Sequence, residues 1–155
     1  MTEPSVASIV DNCHTYLSAT TPAPNLNSSF SNIDKYLTVR GLQLHRAGMP
    51  LLIVHPLQAV SAAETYGQWR LTVQMAFDVC KSLTNPVKDD DQSDVVALAQ
   101  LVLEKLRADH TWADNVVGGG ISISGGFVDP ELEGLADDSS RILVWRWTTD
   151  GMDIA

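Results

Sequence analysis

Cysteine is almost missing from this chain, and what there is forms no pattern. Cys13 and Cys80 make neither a CxxC pair nor a disulfide framework. Both fall inside patterned segments and read as small buried thiols. Positive charge is scarce as well: ten Lys and Arg stand against nineteen Asp and Glu, a formal net charge of -9. A broad grip on phosphates needs clustered bases, so a nucleic-acid-binding module is disfavoured. The same repulsion suits a surface that DNA slides past without sticking. Long apolar runs are lacking too. None reaches the length of a membrane span, and MTEPSVAS at the N-terminus lacks the basic and apolar regions of a secretory signal. A soluble protein made in a cytoplasm, without a membrane partner, is expected.

Catalytic and metal-binding patterns are equally sparse. His14, His45, His55 and His110 include no two at a spacing that shares a helical face or forms a metal-binding knuckle. The run Asp89, Asp90, Asp91 lacks the alternating oxygen ligands, central Gly and closing Glu of a calcium loop. It reads as a solvated acidic loop that supplies favourable charge to the start of the following helix. GGGISISGG lacks the Lys-Ser/Thr of a P-loop and the GxGxxG spacing of a dinucleotide site, so it reads as a flexible hairpin tip. Asp109 with His110, or Asp129 with Glu131, are pairs that any acidic chain offers, with no activating neighbour in the sequence. No catalytic residue, metal ligand or cofactor site is therefore assigned, and the chain is read as a non-enzyme.

What the sequence does contain is a long period-two alternation. WRLTVQMAFDVCK, Trp69 to Lys81, places Trp69, Leu71, Val73, Met75, Phe77 and Val79 on one side. At about 3.3 Å per residue this strand runs roughly 40 Å, against a radius of gyration near roughly 15 Å for a domain of this size. It must bend at a bulge or leave the domain as a hairpin arm, and such arms commonly find a partner subunit. The 155 residues, 45% of them hydrophobic, are read as one domain spanning 1–155.

Around that strand the periodicities predict an α+β fold: a mixed, largely antiparallel β-sheet with a long β-hairpin and two main α-helices packed on it. The first helix is predicted from Glu3 to Ser18, with Thr2 as its cap and Pro4 in its first turn. ATTPAPNLNSSFS, from Ala19, predicts a loop over 20–31. Residues 32–46 stay open between a short helix containing Ile33, Tyr36 and Leu37 and a strand from Leu37 to Leu44 with a bulge at Gly41. Leu51 to Val54 reads as a short buried strand confined by Pro50 and Pro56, and Gln58 to Gly67 as a connection.

The second helix is predicted from Ser93 to Ala108. Its polar stripe is narrow, Gln100, Glu104 and Arg107, while Val95, Val96, Leu98, Leu101, Val102, Leu103 and Leu106 require cover on more than one side. A Gly-rich acidic loop region over 111–138 follows, with Ile121 and Ile123 alternating with serines as in a short exposed strand. Ser140 to Thr148 closes the chain as a strand apolar on both faces apart from Arg146, hence interior or covered by another chain. Trp145 and Trp147, flanking Arg146, read equally as core filler or as interface anchors. The candidate subunit-interface residues are Trp69, Thr72, Gln74, Trp145, Arg146 and Trp147.

The order of elements resembles the tail terminator proteins of long-tailed bacteriophages and related neck and tail-completion proteins. That order is an amphipathic helix, a Pro-bounded strand, the long strand, a polar loop, an apolar helix, a Gly-rich loop and a final strand. The likeness spans Glu3 to Thr148 and rests on pattern; the segment from Ala19 to Arg46 is longer than the simplest pattern. It implies a structural virion protein, assembled in the host cytoplasm into a hexameric ring. The ring caps the tail tube, meets the head-completion (stopper) protein and lets DNA through as a passing occupant. Another phage neck or head–tail joining protein is the nearest alternative. From a different class, a small cytoplasmic α+β enzyme or ligand-binding domain would use the Gly-rich loop as a lid.

Overall fold

Described here, from a computed structural model, are residues 5–36, 50–63, 67, 69–82, 89–109, 111–112, 122–128, 142–150 and 152–153. Helix α1 (Val6–Ser18) starts three residues later than its apolar periodicity predicts. The reason is local: Ser5 is extended, and its hydroxyl takes the Ser8 N–H while the Ser8 hydroxyl takes the Ser5 N–H. This reciprocal cap satisfies two otherwise orphaned donors, so Ser5, rather than Thr2, begins the helix. The helix buries Ile9, Val10, Cys13, Tyr16 and Leu17. The following loop contains only a 3-10 turn at Leu26–Ser28, whose Leu26 drops into the core.

Strand β1 (Asn32–Lys35) replaces the helix entertained around Ile33 and Tyr36; the other alternative, a strand over 37–44, lies outside the described residues. It pairs parallel with β2 (Leu51–Ala63), Asn32 opposite Leu51. α1 holds it in place: His14 Nε2 lies 2.7 Å from the Ile33 carbonyl, and Lys35 donates to Asp11 at 2.5 Å. β2 also corrects the sequence reading, because it continues through Pro56 to Ala63 and pairs antiparallel with β3 (Trp69–Ser82) over its whole length. Pro56 is tolerated because β1 reaches only to Val54 and because the ladder already shifts register between Pro56 and Gln58.

Helix α2 (Asp89–Ala108) begins four residues ahead of the expected Ser93, so the three aspartates form its first turn instead of a solvated loop. Asp91 is buried there, and Lys81 at the end of β3 lies 2.5 Å from Asp94 and 3.9 Å from Asp91, pinning helix start to strand end. Negative charge at that end also complements the helix dipole. α2 packs on β3 and β5 beside α1, which packs on β1 and β2, and Val96, expected to need cover, remains exposed. Lys105 is fully buried in it. Its ammonium donates to the carbonyls of Ala19 (2.9 Å) and Pro22 (2.6 Å) and lies 5.2 Å from the centre of the Tyr16 ring, whose hydroxyl donates to the Lys105 carbonyl. A buried cation thus ties the loop after α1 to α2, its charge met by carbonyl oxygens.

β4 (Ile123–Val128) and β5 (Ile142–Thr149) complete the sheet in the order β1-β2-β3-β5-β4, and a two-residue β6 (Met152–Asp153) pairs with Val73 and Thr72 of β3. The architecture is α+β, with a mixed, mostly antiparallel sheet and two main helices on it. β5 is interior, between β3 and β4. Gly125 and Gly126 lie within β4 rather than at a hairpin tip; residues 118–120 are outside the described set. A Cβ on Gly125 would run into the Trp147 ring, so the missing side chain is what admits the indole.

The main core joins α1, α2 and the helix side of the sheet: Leu52, Val54, Val73, Met75, Phe77 and Val79 meet Ile9, Val10, Val95, Ala99, Val102 and Leu106. Trp112, at the start of the Gly-rich segment, is core too. It meets Phe77 edge-on at 5.7 Å, and its indole N–H donates to the Leu106 carbonyl. On the opposite side of the sheet Leu51, Ile53, Cys80, Ile142 and Val144 form a second buried cluster.

Candidate assembly surface

Both answers to the long-strand problem occur in the hairpin: β2 carries a bulge, and the two strands then run on past the sheet. β5 accompanies β3 only from Ser82 to Ala76. Beyond that, Met75 to Trp69 continue with β2 as a ribbon for about 20 Å, flanked by β6 at Thr72 and Val73; Met75 and Val73 still lie in the main core, so the end that runs on is Leu71 to Trp69 opposite Ser61 to Ala63. The departure of β5 is managed by a side chain: the Thr149 hydroxyl, buried, accepts the Met75 N–H at 3.0 Å.

Large apolar side chains stand exposed on the ribbon among the exposed Gln58, Ser61 and Arg70. Trp69 is 70% exposed, Val60 51% and Leu57, the bulge residue, 42%. Its two faces differ. Val73, Leu71 and Trp69 stand opposite Ala59, Ser61 and Ala63, so large residues on β3 face small ones on β2. On the other face Gln74, Thr72 and Arg70 stand opposite Gln58, Val60 and Ala62.

At the root of the arm sits a buried charge cluster. Asp78, 4% exposed, accepts from Arg146 through both oxygens, Nε to Oδ1 at 2.8 Å and Nη2 to Oδ2 at 3.1 Å, while His55 Nε2 lies 2.8 Å from Oδ2. Burial alone would push the Asp78 carboxyl up; the hydrogen bonds and charges of His55 and Arg146 more than offset it and hold the group below the usual carboxylate range. The cluster joins β2, β3 and β5, one residue before Pro56 and the bulge. Neighbouring Cys80 is inert, its thiol pushed well up by burial and by Asp78 against the opposing pull of Arg146, and burial lifts Cys13 to about 12.

The six candidate interface residues do not form one patch. Trp69 stands exposed near the ribbon's end, and Thr72 and Gln74 are half-buried on its polar face. Trp145 and Trp147 lie on the helix side, edge to face at 5.3 Å, with the Trp147 indole N–H donating to the Ala99 carbonyl of α2. Arg146 points the other way, to Asp78. Phe127 extends the aromatic row at 5.0 Å from Trp145 and is itself exposed at the sheet edge.

Val60, on the Gln58–Gly67 segment read as a connection, and Leu57 just before it were not singled out by periodicity, nor were Asp78 and His55. A signal for Asp78 existed: it is the one acid in the second phase of β3 (Arg70, Thr72, Gln74, Ala76, Asp78, Cys80, Ser82), flanked there by Ala76 and Cys80, and needs a cation, which Arg146 of the other two-faced strand supplies.

Among the described residues no group of three His, Cys, Asp or Glu side chains is placed to hold a metal ion, and no helix is long and apolar enough to cross a membrane. His45, His110, Asp129 and Glu131 lie outside the described residues. No protein-family model matches the chain, and no curated protein matches it significantly.

Proposed function

We propose that this chain is a structural, non-catalytic virion protein of the tail terminator kind. Copies would join head to tail into a hexameric ring that caps the tail tube and meets the head-completion protein. The observation that carries the reading is the set of large apolar side chains exposed along the β2–β3 ribbon. A two-stranded hairpin alone is at best marginally stable in water, and one displaying Trp69, Val60 and Leu57 gains by being covered. Strand arms that add to a neighbour's sheet gain main-chain hydrogen bonds, while side chains set register. Contacts of that head-to-tail type close into rings when the rotation permits. The charge of -9 fits a bore through which DNA passes without adhering.

Light scattering of the purified chain, followed by negative-stain imaging with and without tail tubes, tests the proposal. Annuli of uniform size, seated on tube ends, are the expected result. Monomers at micromolar concentration that stay monomeric beside tail tubes would overturn it.

A further inference from the structure

We infer that the β2 edge of the arm pairs with the β4 edge of a second copy of this chain. The inference deepens the ring reading and rests on its premise that copies associate. A sheet ending in β1 and β4 offers two lateral edges, and the arm adds a third along β2 past the end of β1. These edges are not equivalent. Asn32 and Asp34 of β1 are engaged in further interactions. By contrast, the outward backbone of Ile123–Val128, and that of β2 over 57–63, make no hydrogen bond with any other strand among the described residues. Unpaired edges of matched length are templates for each other.

Charge selects the same pair. In a chain of net -9, contact between copies is opposed wherever acids meet, yet Leu57 to Gln74 carries one acid, Glu64, against one base, Arg70, and Ile123 to Val128 carries none. Two neutral edges in an acidic chain are where like-charged copies approach at least electrostatic cost. Neither edge offers the clustered bases that nucleic acid would require. Shape agrees as well. The row Phe127, Trp145, Trp147 is bulky and admits only Gly125 beside it within the subunit, and the arm's β2 brings the small row Ala59, Ser61, Ala63. The contact joins two different patches, so it is heterologous and propagates around an axis instead of stopping at a two-fold dimer.

The test uses two full-length variants, Ala62→Cys on the arm and Ser124→Cys on β4, both conservative, at exposed positions and on the same face of the sheet. Mixed in equal amounts and treated with a short bismaleimide, they are resolved by denaturing gel and mass spectrometry, with the natural chain, whose thiols are buried, as the blank. The expected result is a dominant adduct that links the Ala62→Cys variant to the Ser124→Cys variant through the two introduced thiols. Assemblies that give only same-variant adducts, or none, overturn the pairing while leaving a ring intact. A dominant mixed adduct in open chains without annuli supports the pairing and overturns the ring. A mixture that stays monomeric without adducts overturns both.

Discussion

Asp78 shows how much of the sheet's geometry can hang on one carboxylate. Replacing it with Asn removes the charge that the half-buried Arg146 and His55 hydrogen-bond to, at a cost of about 1–3 kcal/mol. Its pH dependence has a definite sign. Because the folded carboxyl sits below its ordinary value of about 3.9, its contribution is present above that value and is lost as pH falls through the folded one. Denaturation of Asp78→Asn should therefore show a lower midpoint at neutral pH and a shallower loss of stability on acidification than the natural chain. Gly125 makes the opposite point, since there the absence of atoms matters. Gly125→Ala forces the strand or the Trp147 ring to move, at about 1–3 kcal/mol, whereas Gly126→Ala meets nothing within 4 Å and should leave the melting temperature nearly unchanged. Thermal melts of the two variants side by side would read this difference. Neither role was visible as a motif. The aspartate simply falls in the second phase of the alternation and the glycines read as a hairpin tip, because cross-strand partners are set by register, which local pattern does not report.

At the scale of elements, β3 and α2 were legible because their periodicities are long and regular, and β5 because both its faces are apolar. β2 was not. QAVSAA has little alternation and is rich in alanine, and its strand conformation comes from the β3 ladder opposite it, a non-local cause. Start points shifted for similar reasons: the Ser5–Ser8 cap and the Lys81 contacts to Asp91 and Asp94 decide where α1 and α2 begin. The arm itself separates two kinds of substitution. Val73 and Phe77 are fully buried in the main core, so Val73→Asp or Phe77→Asp inserts an unpaired carboxylate at a cost of several kcal/mol and should abolish the cooperative unfolding transition. Gln74 lies on the ribbon's polar, half-buried face, so Gln74→Asp should keep the monomer's circular dichroism and melt while reducing the assembled fraction in sedimentation. Ring formation left intact by Gln74→Asp would remove the arm from assembly.

For the whole molecule, the balance lies between apolar edges that favour contact and a net charge of -9 that opposes it. The two respond differently to salt. At about 0.01 M ionic strength the Debye length is roughly 30 Å, and at about 0.15 M it is roughly 8 Å, so repulsion between neighbouring copies is felt across much of a subunit in the first case and only at close range in the second. Apolar burial and main-chain pairing change little over that interval. An assembly joined through neutral edges should therefore strengthen as salt rises from low to physiological levels, and strengthen again as pH is lowered towards the sequence pI of about 4.6, down to the point where the Asp78 cluster begins to protonate and the arm's root loosens. Sedimentation velocity across a salt series at fixed protein concentration measures this directly. An assembled fraction that falls with added salt would mean that ion pairs, and not the neutral edges, hold the copies together.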